Sequence, residues 1–288
     1  MDNTSESIEK PDPYAALRFW EFRNFTIARL CITIASQMQA VIVGWQIYEI
    51  TKDPFSLGLI GLAEAIPSIS VLLFAGHLTD ISDRKKIVLY SVLLMSFCSL
   101  MLLLITSDLI HSLSENKLIL IYSVIFLSGI GRGFSAPSFF AFVSQLVPKE
   151  TLPNAITWNT TTWQTGAVTG PAIGGLLYGF IGATNTFITI VIFWIISVFM
   201  ILPIKNKPVP VIIGIQSLKE KLTAGLKFVF ERKIVLGAIS LDLFAVLFGG
   251  AVALLPIFAG EILFAGPEGL GILRAAPSIG AVIMAVTM

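Results

Sequence analysis

The sequence predicts an all-α membrane protein, and three observations carry that expectation. Of the 288 residues, 55% are hydrophobic and only 13% are charged, with a mean hydropathy of +0.86. A soluble domain carries about 25% charged residues, so this chain has roughly half the polar supply needed to coat a globule of its size. The apolar residues fall into eight runs, each near the roughly 20 residues that a helix needs to cross about 30 Å of hydrocarbon. The basic residues gather in alternate gaps between those runs, as the charge asymmetry of a multi-pass protein requires.

Taken in order, residues 1–24 form a polar segment with no apolar core ahead of a small-residue cleavage site, so no removable signal peptide is expected. Within it and just beyond, residues 14–25 mix aromatics with charges, which predicts a stretch lying along the membrane surface. Spans are expected at 25–48, 55–75, 87–107, 118–143, 155–180, 184–204, 234–259 and 268–288. Residues 205–233 form a polar connection with an amphipathic part around 218–230. With the N-terminus in the cytoplasm, 14 of the 19 lysines and arginines lie inside, including Lys219 and Lys221. Only Lys52 and Lys117 lie outside, and Arg29, Arg132 and Arg274 fall within spans. That asymmetry sets the expected orientation. The chain stops at Met288 within an apolar run that has no polar tail, which reads as a truncated product or fragment.

Several function classes are disfavoured. A net charge of +1 leaves no basic face for nucleic acid. Cys31 and Cys98 sit inside apolar runs as small packing residues, and His77 and His111 near span ends form no metal cluster. No Gly-x-x-x-x-Gly-Lys-Ser/Thr phosphate loop and no nucleophile–base constellation appears, so neither an enzyme nor a cofactor is expected.

The polar residues inside or between spans carry the functional content. Between the second and third spans, residues 76–86 place a glycine, two carboxylates and three cations in one short loop. Gly76 is expected to end a helix and admit a close neighbour. Ser82 is expected to cap the third span, with Asp83 in its first turn at the positive end of the helix dipole. Arg84, Lys85 and Lys86 are expected to hold the loop at the anionic membrane surface. In the fifth span, Gly166, Gly170, Gly174 and Gly175 are expected to share one close-packing face, with Pro171 bending the helix among them. Arg132 in the fourth span costs on the order of 2.5–3.5 kcal/mol at mid-membrane, so it should face water or a partner. Glu64 in the second span is the other costly residue and a candidate proton carrier, expected to relate to Arg132 across a cavity. Asp242 and Arg274 are embedded in the seventh and eighth spans, Asp242 as a possible second protonatable or gate residue. Arg29, a turn inside the first span, is expected to snorkel to the interface. Gln37, Gln39, Trp45 and Gln46 offer polar and aromatic contacts for a small-molecule substrate, or pack between helices.

These motifs resemble the major facilitator superfamily of secondary transporters, and within it the branch containing the enterobactin exporter. The loop 76–86 is similar to the superfamily's signature loop, departing from it at Ile81 and Asp83. Gly170-Pro171-x-x-Gly174-Gly175 is similar to a signature of its exporters. The resemblance implies a transmembrane helix bundle with a six-helix N-terminal half at 25–204. A cytoplasmic linker at 205–233 and the incomplete start of a second half at 234–288 would follow. It implies that Asp80 docks against the opposite half to stabilise the outward-open state, and that Arg132 is linked to proton transfer. It implies alternating access in the bacterial inner membrane, with protons driving efflux of a small amphipathic compound such as a siderophore or drug. Proton coupling then falls on Glu64, Arg132 and Asp242, with Gln37, Gln46 and Arg274 at the substrate cavity. A complementing C-terminal transporter half becomes a candidate partner, and little transport is expected of the chain alone. The rival expectation is a non-transporting membrane remnant or assembly partner.

Overall fold

The computed structural model describes residues 12–107, 116–208, 227–248 and 250–287. Seven long helices occur among them: α1 (Trp20–Thr51), α2 (Pro54–Ile81), α3 (Arg84–Thr106), α4 (Lys117–Val143), α5 (Leu152–Ile201), α6 (Lys233–Phe248) and α7 (Gly266–Thr287). No strand occurs among the described residues. The helices form because a chain in hydrocarbon must satisfy its own backbone polar groups. Their ends are set by local chemistry. Lys52 turns left-handed at φ 50° to close α1, and Asp53 then opens α2. Its carboxylate accepts from the backbone of Phe55 and Ser56 and from the Ser56 hydroxyl, with Pro54 at the first helical position. Those bonds, led by the one from the Ser56 side chain, hold the Asp53 carboxyl below its ordinary range.

Five helices among the described residues are long and apolar enough to cross a membrane, and the fifth is long enough to do so twice. At 1.5 Å per residue the 50 residues of α5 would extend about 75 Å. Gly182 breaks the helix with φ 80° and ψ 173°, a conformation that side chains disfavour. The two ends of α5 both return to the start of α1. Ala16 donates its amide to Asn154 Oδ1 at 3.0 Å, and Trp158 Nε1 donates to the Pro13 carbonyl at 2.9 Å. At the other end, the Lys205 amide donates to Glu21 Oε1 at 3.1 Å and Lys207 pairs with the same carboxylate. The chain therefore reverses at Gly182, giving six helical passes within 20–201.

The core lies where α1 packs on α5, α2 on α4, and α3 on α4 and α5. Met38, Ile42, Phe139, Phe142, Phe187, Ile190 and Trp194 are fully or nearly fully buried there. Helices α2 and α4 run parallel: Tyr122 donates to the Ser56 carbonyl at 2.6 Å near one end, and Thr79 meets Ser138 at 2.9 Å near the other.

Residues 14–18 form a short turn docked on the start of α5, and α1 begins at Trp20. Three expectations are corrected. Helix α2 does not end at Gly76 but continues to Ile81, because the helix outlasts the apolar run that marks the lipid. Asp83, not Ser82, caps α3, its carboxylate accepting from the Lys85 amide at 3.0 Å. The expected seventh span is not one helix. After α6 the chain passes through a 3₁₀ stretch (Gly250–Leu254), a helical turn (Leu255–Ile257) and a π turn (Phe258–Ile262) before α7. His111, Lys219, Lys221 and linker residues 209–226 lie outside the described residues.

The expected close approach at Gly76 is also absent. A methyl group there would meet nothing within 4 Å. Gly76→Ala is therefore expected to leave the melting temperature of the purified chain in detergent unchanged or slightly raised, since alanine is the better helix former. A clear drop would restore the close-packing role.

Candidate functional site

Helices α2 and α4 nearly touch at mid-length. A Cβ placed on Gly129 would lie 2.5 Å from the Glu64 carbonyl oxygen and 2.7 Å from Pro67 Cγ; one on Gly133 would lie 2.7 Å from the Ser68 carbonyl. Glycine is what lets these backbones approach, and the approach brings two charged side chains together. Arg132 Nε lies 2.8 Å from Glu64 Oε1. The Glu64 side chain is 26% exposed and that of Arg132 46%, so the pair faces an open space rather than a sealed core. A water-facing pair contributes little to stability. Its position in two apolar helices instead makes it a functional candidate.

The space is a cavity of about 270 Å³, with polar lining from Ser36 and Gln39 of α1, Glu64 of α2, Ser128 and Arg132 of α4, and Arg274 of α7. A second cavity of about 230 Å³ shares Ser36 and Arg132 with the first and is lined also by Arg29, Gln37, Phe139 and Trp163. The two meet at Arg132. Arg29 does not snorkel. Its guanidinium sits 4.3 Å above the Phe139 ring, where its charge interacts with the negative ring face.

Other expected site residues are dispersed. Gln46 is buried between α1 and α3, donating from Nε2 to Thr106 Oγ1 at 3.1 Å, and does not line either cavity. This removes Gln46 from the cavity lining, whereas Gln37 lines the second cavity and Arg274 the first. Asp242 lies exposed on α6 and is not brought to the Glu64–Arg132 pair. Trp45 is buried, its ring nitrogen donating to Glu49 at 2.7 Å.

The glycines of α5 serve two faces rather than one. Gly166, Gly170 and Gly174 meet Thr33, Gln37 and Met38 of α1, whereas Gly175 meets Pro267 and Gly271 of α7. Gly182 is where α5 leaves helical geometry; Pro171 lies within the continuous part.

At the far end of α2, Asp80 occupies the last turn and is partly buried. Arg84 Nη1 donates to the Ala141 carbonyl at 2.8 Å, and Lys85 Nζ donates to the Leu202 carbonyl at 2.9 Å. These cations tie the start of α3 to the carboxyl ends of α4 and α5, where helix dipoles favour positive charge. Of the three, Lys86 is left exposed.

Sequence reasoning missed Glu49 and Glu261 at the opposite end. Tyr178 donates to Glu49 at 2.9 Å and Tyr48 to Glu261 at 3.3 Å, joining α1 to α5 and to the π turn before α7. It also missed Arg29 as a cavity residue, although a third arginine in an apolar run was a usable signal.

Residues 11–288 match the profile of a major facilitator family described as transmembrane secretion effector. The chain belongs to this family. The cavity thus lies in a member of a family of membrane transporters, which are not enzymes. This member is 26% identical over 275 residues to the enterobactin exporter EntS of Shigella flexneri, covering 92% of the chain and 62% of that protein. It is 28% identical over 125 residues to multidrug resistance protein 2 of Bacillus subtilis, covering 43% of the chain and 29% of that protein. It spans less than two thirds of either relative. Among solved structures it is similar to a D-xylose–proton symporter, with a TM-score of 0.61 and 11% identity over 96% of the chain and 70% of that one. The last likeness concerns the fold alone.

Proposed function

We propose that this transmembrane secretion effector is the greater part of a proton-coupled exporter that works by alternating access in the bacterial inner membrane. The observation that carries the reading is the Glu64–Arg132 pair, 2.8 Å apart at a mid-bundle cavity shared by α1, α2, α4 and α7. In this reading Glu64 is the candidate proton carrier and Arg132 its partner, two costly side chains placed in apolar helices. The exporter direction is supported by the relatives, one an enterobactin exporter and one a multidrug resistance protein. A small amphipathic compound is the expected cargo.

In this reading residues 25–204 are the first six-helix half, 205–233 the linker and 234–288 the start of the second half, with the N-terminus in the cytoplasm. The side carrying Arg23, Arg84, Lys85 and Lys86 is then cytoplasmic by charge asymmetry. Asp80 and its basic neighbours act at the cytoplasmic gate. The contacts Tyr48–Glu261 and Gly175–Gly271 close the opposite end, an arrangement suited to a cavity opening toward the cytoplasm. A complementing half supplies the remaining helices of the second bundle, and the chain alone transports little.

The test is dye efflux from vesicles across an imposed pH difference, with the chain alone and with the complementing half supplied. Glu64→Gln is expected to remove the pH dependence of efflux while the protein still inserts and folds. An unchanged pH profile would exclude Glu64 from coupling.

A further inference from the structure

We propose that the two joined cavities hold a small organic anion with an aromatic or apolar body. This deepens the exporter reading by giving its cargo a chemical class. The titratable side chains lining the two cavities are Arg29, Arg132, Arg274 and Glu64. Three cations against one carboxylate leave two positive charges in excess. Glu64 pairs with Arg132, and its charge also reaches Arg274 from beyond ion-pair distance. Among the described residues neither Arg29 nor Arg274 makes an ion pair within 4 Å, and the Nε of each is shut off from solvent with no hydrogen-bond partner. Arg29 is served on its flat face by Phe139, but stacking leaves its Nε–H without an acceptor.

Guanidinium groups drawn out of water need a counter-charge that also accepts hydrogen bonds. A carboxylate supplies both, since its two oxygens match the planar fork of an arginine. Phe139 and Trp163 flank the Arg29 end, and Val43, Leu57 and Ile60 flank the Arg274 end. The site thus offers charged anchors at separated points with aromatic and apolar walls between them. An organic cation would meet the excess positive charge and is disfavoured. Arg132 can serve ligand or Glu64, so the anion and the carboxylate compete for it.

The experiment is equilibrium dialysis of the full chain in detergent against 1-naphthoate, neutral 1-naphthamide and the cation 1-naphthylmethylammonium. Naphthoate is expected to bind saturably, with the amide and the cation about tenfold weaker or more, the scale of one charge-assisted hydrogen bond. Arg29→Gln and Arg274→Gln should each weaken naphthoate about tenfold without changing the amide, and the lysine variants should recover part of the loss. Glu64→Gln should tighten naphthoate by removing its competitor. The proposal is overturned if naphthoate does not bind saturably or if the cation binds as tightly. It is equally overturned if the glutamine variants elute as folded protein and bind naphthoate unchanged, or if Glu64→Gln fails to tighten it. Anion binding with no efflux would count against the exporter reading alone. pH-dependent efflux of cationic dye without naphthoate binding would remove the anion and leave the exporter.

Discussion

Gly129→Val is expected to unfold the α2–α4 pair and abolish any activity that depends on Glu64 and Arg132. A Cβ at this position lies 2.5 Å from the Glu64 carbonyl oxygen and 2.7 Å from the ring of Pro67. Neither neighbour is the free end of a flexible chain, so the helices themselves must part. Overpacking of this kind typically costs 1–3 kcal/mol, and contacts to a backbone carbonyl and a rigid proline ring put this case at about 3 kcal/mol or more. The lost contacts include the one that seats Glu64 beside Arg132. Melting of the purified chain, followed by size exclusion in detergent, gives the readout. A variant that melts with the wild type would show that α2 and α4 are not held by backbone approach.

Gly175→Val should act at the other critical crossing, between α5 and α7. There a Cβ would sit 2.6 Å from Gly271 Cα and 2.6 Å from the Pro267 carbonyl oxygen, again backbone atoms. The cost is of the same order, about 3 kcal/mol, but the consequence differs. The first six crossings pack without α7, whereas the cavity loses Arg274 when α7 swings away. The variant is thus expected to fold as a bundle yet to open the cavity on one side. Protease accessibility of residues 255–287 rises against an unchanged core in that case. Equal protection of both regions in variant and wild type would mean that α7 does not rely on Gly175.

The residues that cost most in lipid were the easiest to read from sequence. Glu64 and Arg132 stand out because an apolar helix has no routine use for charge, and they proved to be partners. Arg29 obeyed the same logic and was misjudged only because a cation near a span end has a cheaper alternative at the interface. Gln46 could not be placed. Helix α1 is apolar around most of its circumference, so no periodicity says which face looks toward a cavity and which toward α3. Helix boundaries failed for a related reason at Gly76: an apolar window reports where lipid ends, not where hydrogen bonding stops. The region 250–262 failed because composition does not distinguish one straight helix from successive 3₁₀, α and π turns. The split of the α5 glycines between α1 and α7 required knowing which helix lies on each side, and that is tertiary information.

The elbow at Gly182 has a consequence for how the protein is made. Between residues 152 and 201 there is no lysine, arginine, aspartate or glutamate, even where the chain reverses. The machinery that threads nascent chains into bilayers reads such charges to decide which side a segment faces. Here it finds them at the two bases, Lys149 and Glu150 before the segment and Lys205 and Lys207 after it. The tip at Gly182 therefore carries no charge of its own by which such machinery could orient it.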